Sequence, residues 1–282
     1  MSCAICNGTG WKLVDQDGRS AVTRCDCWRD TYLDRLLTDA RIPRRYHHCD
    51  LDRMVLYENA SLARAVEQAR SLVERFPIVS KGLFFLGPPG VGKTHLAVAV
   101  LKNVIRAKRA HGLFYDTRDL LRVIRATYNP VVQMTEHEVL RPVMDAELLV
   151  LDDLGAEKTT EWVEETLNLI VNTRYNERRV TIFTSNYEDR PDPSDPDSLL
   201  CRVGFRMRSR LHEMCDFIEI DGADYRELPV NGGEFELRAL WKNRRPASST
   251  KRTPPSRSGG QLRARPPQDA PDLKWAGGKA GT

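Results

Sequence analysis

The sequence predicts an α/β fold, in which helices flank a parallel sheet. Three short, largely apolar runs, residues 83–86, 148–151 and 179–186, have the character of strands buried on both faces. Segments with apolar residues three and four positions apart, the period of a helix, separate these runs. Glycine-rich or polar residues stand at the end of each run, and ligands bind at the carboxyl ends of strands in open α/β sheets. The sequence therefore predicts a ligand site at one edge of the sheet.

The composition is that of a globular domain with small attachments. The chain has 282 residues, of which 41% are hydrophobic and 29% are charged. No apolar run approaches the ~20 residues that span a bilayer, and the first residues do not resemble a signal peptide. We therefore expect a cytoplasmic protein without a membrane partner.

The net charge of +4 conceals an uneven distribution. Residues 231–282 hold eleven Lys or Arg and four Asp or Glu, whereas residues 1–230 hold 32 basic and 35 acidic residues. Any contact of the main domain with nucleic acid must therefore be local. Residues 231–282 are rich in Pro, Gly, Ser and Arg, which predicts a disordered basic tail that contacts nucleic acid or a partner, or only aids solubility.

A phosphate-binding loop follows the first apolar run. Residues 87–94, GPPGVGKT, fit this pattern at every fixed position, and a helical segment follows. The glycines let successive backbone N–H groups point at a phosphate near the positive end of the helix. Lys93 is expected to contact the β- and γ-phosphates, and the hydroxyl of Thr94 to bind Mg²⁺. The alternative is a glycine-rich turn without a ligand, for which the flanking strand and helix give no support.

Acidic and amide side chains end the other two runs. Asp152 is expected to orient Mg²⁺ through water, and Asp153 to polarise the water that attacks the phosphate. The alternative is an acidic pair that only caps a turn. Asn186, at the end of the third run, is expected to reach the attacking water or the γ-phosphate.

Four cysteines near the amino terminus form two close pairs. Cys3 and Cys6 are separated from Cys25 and Cys27 by eighteen residues, a spacing that suits a structural zinc site with four thiolates. Metal binding would then supply the folding free energy of a segment too small to bury a core. A redox pair or four unrelated thiols are the alternatives.

The remaining cysteines and a histidine pair have simpler interpretations. His47 and His48 have no cysteine pair near them in the sequence, which favours a solvated or packed pair over a metal site. The other cysteines are expected to be small buried side chains: Cys49, Cys201 and Cys215.

Residues 204–211 form an arginine-dense helix start that contains Arg206, Arg208 and Arg210. One interpretation is a solvated basic surface. The other is an arginine finger, which enters the nucleotide site of a neighbouring subunit.

With these motifs, the chain resembles the DnaC/DnaI-type replicative helicase loaders, a branch of the AAA+ ATPases. The matching segments are GPPGVGKTHLA, LLVLDDLGAEK, TIFTSN, RSRL followed by DYR, the opening CxxCxGTGW and the junction RIPRRY. The second Walker B carboxylate is Asp153 here, where the AAA+ proteins more often have Glu, which is compatible with slow turnover. The roles implied by the resemblance are Walker A for Lys93 and Thr94, Walker B for Asp152 and Asp153, sensor 1 for Asn186, arginine finger for Arg210 (with Arg206 and Arg208 as alternatives) and sensor 2 for Arg226.

The resemblance also implies an organisation and partners. It implies a zinc-binding domain with a linker helix in residues 1–40, a P-loop AAA+ domain with a parallel sheet in residues 41–230, and the tail in residues 231–282. ATP would bind between subunits of a homo-oligomer, the zinc domain would bind the replicative DNA helicase, and the AAA+ domain would contact single-stranded DNA. The residues expected to contact the nucleotide are Gly87, Pro88, Pro89, Gly90, Val91, Gly92, Lys93, Thr94, His95 and Arg226.

Three other functions compete with the helicase loader. An IstB-type transposition helper shares the ATPase core, but it commonly lacks the zinc-bearing amino terminus. A phosphotransferase would leave Asn186, Arg210 and Arg226 without roles. A DNA-binding adaptor that does not hydrolyse ATP would depend little on Asp153.

Overall fold

A computed structural model describes residues 3–16, 19–56, 58–129, 131, 133–227 and 234–243. None of the helices in this part of the chain combines the length and apolar character of a membrane span. The elements, in chain order, are β1 Trp11–Gln16, β2 Arg19–Arg24, α1 Asp26–Asp39, α2 Ala60–Arg75, β3 Gly82–Leu86, α3 Lys93–Lys108, β4 Gly112–Asp116, α4 Thr117–Ala126, α5 Glu136–Asp145, β5 Leu148–Asp152, α6 Glu161–Asn176, β6 Val180–Ser185, α7 Leu199–Met214, β7 Cys215–Glu219 and α8 Glu234–Asn243.

The predicted parallel sheet is confirmed. Its five strands lie in the order β4-β5-β6-β3-β7, and all neighbours are parallel. The strand before the glycine loop, β3, is therefore separated from the strand that carries the aspartates, β5, by β6. Because all strands point the same way, the residues at their carboxyl ends meet at one edge of the sheet.

Helices cover both faces of the sheet. Leu83 and Phe85 of β3 face a core layer built with α1, α2 and α3, whereas Phe84 and Leu86 face a second layer built with α4 to α7. All five residues of β3 are buried, because both faces are covered.

Two of the helices, α2 and α4, begin at side-chain caps. Asn59 accepts hydrogen bonds from the backbone N–H groups of Ser61 and Leu62 at the start of α2. Asp116, the last residue of β4, caps α4 in the same way. Such caps satisfy N–H groups that lack a partner in the helix, and each stabilises a helix by about 1 kcal/mol.

The amino-terminal segment is a β-hairpin followed by α1. The two strands pair antiparallel through six residue pairs, from Trp11 opposite Arg24 to Gln16 opposite Arg19. The end of α1 belongs to the main core, since Leu36 and Ala40 pack there and the carbonyl of Ala40 accepts a hydrogen bond from Phe114. The proposed division at residue 40 stays a prediction.

Two helices differ from the expectation. The arginine-dense helix α7 begins at Leu199 rather than Gly204, and Gly204, with φ 76°, marks a kink inside it. The stretch Glu234–Asn243 forms α8, although the whole of residues 231–282 was predicted to be disordered. This stretch contains no Pro or Gly and several strong helix formers, a local signal that the composition of the whole tail obscured. The rest of the predicted tail lies outside the described residues.

Candidate functional site

The glycine loop lies between β3 and α3, at the carboxyl edge of the sheet. Gly87, Gly90 and Gly92 have φ values of 143°, 80° and 98°, a region that favours glycine. Two of these glycines are also required by close packing. A Cβ atom at Gly87 would lie 2.0 Å from the carbonyl oxygen of Ile220, and one at Gly90 would lie 1.7 Å from Oδ1 of Asp224.

Lys93, the first residue of α3, is buried beneath this loop. Its ammonium donates hydrogen bonds to the carbonyl oxygens of Gly87 and Pro88, both at 2.8 Å, and to Oδ1 of Asn186 at 2.7 Å. Burial lowers the pKa of Lys93 to about 8, and the carboxylates of Asp153 and Asp152 oppose this shift. The loop therefore holds a cation at the positive end of α3, where phosphate binds.

A hydroxyl and a carboxylate suitable for Mg²⁺ lie beside the loop. Oγ1 of Thr94 donates to Oδ1 of Asp152 at 2.9 Å, and Thr184 donates to the same oxygen at 2.6 Å. Burial raises the pKa of Asp152 to about 6, although the two hydroxyl donors lower it. Hard oxygen ligands of this kind suit Mg²⁺, so Thr94 and Asp152 fit the predicted metal role.

Asp153 leaves β5 in a left-handed conformation, with φ 59°. Its backbone N–H donates to Oγ1 of Thr184 at 2.8 Å, and its carboxylate accepts a hydrogen bond from Asn186 at 2.6 Å. Arg118 of α4 lies 3.8 Å from the other carboxylate oxygen. The turn thus directs the carboxylate of Asp153 towards Asn186, and Asn186 contacts both Asp153 and Lys93.

Most of these groups line a cavity of about 670 Å³, which lies within the usual size range of ligand pockets. In the described part of the chain, Gly87 and Pro88, which were predicted to contact the nucleotide, do not line it, and neither does Arg118. Arg226, the predicted sensor 2, lies on the cavity wall, and the neighbouring Tyr225 donates its N–H to the carbonyl of Gly90. Several residues of the cavity wall were not predicted from the sequence: Arg45, Tyr46, His48, Cys49, Arg53, Met54, Val55, Leu62 and Thr184. Two of them, Arg45 and Tyr46, belong to the RIPRRY junction.

The three candidate finger arginines of α7, Arg206, Arg208 and Arg210, do not line this cavity within the described part of the chain. Arg208 is bound to Asp189, with Nε and Oδ1 2.6 Å apart. Arg210 is half-buried, and its guanidinium donates to the carbonyl of Arg206, at 3.4 Å. Arg208 is thus already engaged within its own chain, and the role of Arg210 as an arginine finger stays a prediction.

The four amino-terminal cysteines converge. The sulfurs of Cys3 and Cys25 are 3.8 Å apart, those of Cys6 and Cys27 are 3.3 Å apart, and all four lie within 4.8 Å of one another. Sulfurs around tetrahedral zinc, at about 2.3 Å from the metal, lie about 3.8 Å apart. The thiols are therefore not unrelated, and their geometry fits zinc. The expectation for Cys201 was wrong, because its side chain is exposed.

The fold and the site together define a P-loop ATPase of the AAA+ type. The chain belongs to the family of IstB-like ATP binding proteins, whose family model matches residues 56–228.

Several relatives are named helicase loaders. The replicative helicase loader DnaC of Buchnera aphidicola subsp. Acyrthosiphon pisum is 26% identical over 159 residues, which are 55% of this chain and 63% of that protein. A crystal structure of the DnaC helicase loader is 35% identical, covers 64% of this chain and 100% of that one, and has a TM-score of 0.56. A crystal structure of DnaI is 25% identical, with coverages of 66% and 94% and a TM-score of 0.54.

Proposed function

We propose that this protein is an ATP-dependent helicase loader, which binds ATP and single-stranded DNA and delivers a replicative helicase in DNA replication. The observation that carries the proposal is one cavity lined by Lys93, Thr94, Asp152, Asp153 and Asn186, in a chain 35% identical to a DnaC helicase loader over 64% of its length.

In the proposed reaction, Lys93 and the N–H groups of the loop bind the β- and γ-phosphates. Mg²⁺, held by Thr94 and Asp152, would neutralise charge on the phosphate oxygens. Asp153 accepts a proton from the attacking water. A bond from the water oxygen to the γ-phosphorus forms, the bond to the bridging oxygen breaks, and ADP and phosphate leave.

Asn186 connects phosphate binding by Lys93 to Asp153, the proposed general base. Its amide oxygen accepts from Lys93 and its amide nitrogen donates to Asp153, so a phosphate that draws Lys93 away also changes the contacts of Asn186. Completion of the site by Arg210 of a neighbouring subunit would make hydrolysis depend on assembly.

The zinc-binding hairpin is the proposed contact with the helicase. Leu13 and Val22 face each other across the two strands and are 77% and 63% exposed, and Ile5, in the turn between Cys3 and Cys6, is 67% exposed. Clustered exposed apolar side chains are typical of surfaces that bind a partner. Contact with single-stranded DNA, if made through phosphates, would weaken as salt concentration rises.

Two measurements test the proposal. ATP hydrolysis is measured with and without single-stranded DNA for the wild type, for Asp153→Asn and for Asp34→Asn, an exposed residue on α1 that serves as control. We expect Asp153→Asn to lose at least about 100-fold in rate, a size typical of a lost general base, while ATP binding is kept. An unchanged rate would favour the adaptor that does not hydrolyse ATP.

The second measurement is binding to the replicative helicase of the same organism. The double variant Leu13→Ser, Val22→Ser is expected to lose binding, whereas Ile78→Ser, which is 89% exposed on the main domain, is expected to keep it. Absence of helicase binding by the wild type would refute the loader. It would leave the IstB-type transposition helper, which shares this family of ATP-binding domains.

A further inference from the structure

A second group of metal-ligating side chains lies on the wall of the nucleotide cavity. His48 and Cys49 come from the segment before α2, and His95 comes from the first turn of α3. One ligand atom of each, two ring nitrogens and a sulfur, lies within 4.8 Å of the others. We propose that these three side chains form a second metal site, which binds a borderline cation such as Zn²⁺.

His95 supplies the independent observation. Among the residues that the structure describes, Nε2 of His95 is the only buried side-chain nitrogen or oxygen without a hydrogen-bond partner. That nitrogen therefore has no competing partner, and a neutral imidazole nitrogen is among the commonest metal ligands. The buried Nε2 of His95 is free to bind a metal ion.

The distances fit after a small movement of one side chain. Ligand atoms around tetrahedral zinc, at about 2.0–2.3 Å from the metal, lie about 3.3–3.8 Å apart. Cys49 is fully buried and has little room to move, whereas His48 is exposed and free to close the remaining gap. The rings of His48 and His95 already approach each other, with centroids 5.8 Å apart.

The ligand set distinguishes this site from the other two. A thiolate with two imidazoles suits zinc and similar cations and disfavours Mg²⁺, which prefers the oxygen ligands Thr94 and Asp152. Unlike the four-cysteine site, three protein ligands leave a fourth position open. That position faces the nucleotide cavity, because all three residues line it.

The test compares zinc content in the full-length protein without nucleotide. Wild type, His48→Gln, His95→Gln and Cys49→Ala are dialysed against the same low concentration of free Zn²⁺, and bound zinc is measured by mass spectrometry. Each variant is expected to hold one zinc ion fewer per chain than the wild type. Its zinc affinity at the second site should fall at least about 100-fold, a larger loss than removal of a residue that only hydrogen-bonds to a metal ligand causes. His47→Gln, a neighbouring histidine outside the cluster, is the control and keeps the wild-type content.

His48→Gln decides the result if a buried variant misfolds, because His48 is exposed. Replacement of Zn²⁺ by Co²⁺ gives a second readout, the near-ultraviolet absorption band of thiolates bound to cobalt. In Cys49→Ala this band is expected to lose the absorbance that one bound thiolate contributes. Equal zinc content in the wild type and His48→Gln would overturn the proposal. The wild type and the variants share the same amino-terminal cysteines, so zinc bound there cancels in the comparison. Zinc content is measured without nucleotide, so the result is also independent of ATP hydrolysis.

Discussion

The hydroxyl of Thr184 connects both aspartates of the site, and its removal gives a sharp test of the geometry. Oγ1 of Thr184 donates to Asp152 at 2.6 Å and accepts from the N–H of Asp153 at 2.8 Å. Thr184 itself is 2% exposed. Thr184→Val keeps the shape of the side chain but removes both hydrogen bonds.

The expected cost follows from these two bonds. A hydrogen bond to a charged group contributes about 1.5–3 kcal/mol, and a buried N–H without a partner costs about 1–3 kcal/mol. Because the two bonds share one oxygen, their effects overlap. Allowing for that overlap, we expect Thr184→Val to lower the free energy of unfolding by about 2–4 kcal/mol. Loss of a donor to Asp152 also raises the pKa of that carboxyl further.

The assay is urea unfolding of wild type, Thr184→Val and Thr184→Ser, together with ATP hydrolysis at saturating Mg²⁺. Thr184→Ser keeps the hydroxyl and is expected to retain both bonds, losing only a methyl group. Thr184→Val is expected to hydrolyse ATP more slowly, because Asp153 loses the contact that holds its backbone. If Thr184→Val were as stable and as active as Thr184→Ser, the hydroxyl would not position the aspartates and the reasoning would fail.

Two further predictions concern pH and metal. Burial raises the pKa of Asp152 to about 6 from its ordinary 3.8, so its ionisation opposes folding: this carboxyl favours the folded state most below pH 3.8, and that advantage is lost as the pH rises through 6. As the pH rises from well below 3.8 to well above 6, the wild type should therefore lose in total about 3 kcal/mol more stability than Asp152→Asn, measured by denaturant unfolding without added magnesium; equal pH profiles would contradict the prediction. Cys25→Ser is expected to lower the zinc content of the purified protein and to loosen the hairpin, seen as faster amide exchange, whereas Cys201→Ser, at an exposed cysteine, should leave both unchanged.

The nucleotide loop could be predicted from the sequence because its geometry is local. Its positive backbone angles need glycine, and the required residues are adjacent in the chain. Asp153 and Asn186 were also predictable at the same edge of the sheet, since each follows a buried strand and parallel strands end at one edge. The exact contacts of these residues were not predictable, because the sequence of a single strand does not reveal the order of the strands in the sheet.

The contacts between distant segments show what remained hidden. Nothing in the sequence distinguishes Thr184 from other polar residues of a strand. The pairing of β5 with β6 places its hydroxyl between the two aspartates. The sequence favoured a solvated or packed His48, since no cysteine pair is near it in the chain, and only the fold brings it close to His95 of α3.

The α/β class, the phosphate-binding loop, the acidic pair and the paired cysteines could all be predicted before the fold was known, since each depends on short-range spacing and hydrophobic character. The tertiary structure alone decided that Lys93 contacts Asn186, that α1 packs into the main core, and which side chains complete the cavity wall. The physical reason is that such contacts arise from the packing of whole elements, which depends on surfaces built by residues far apart in the chain.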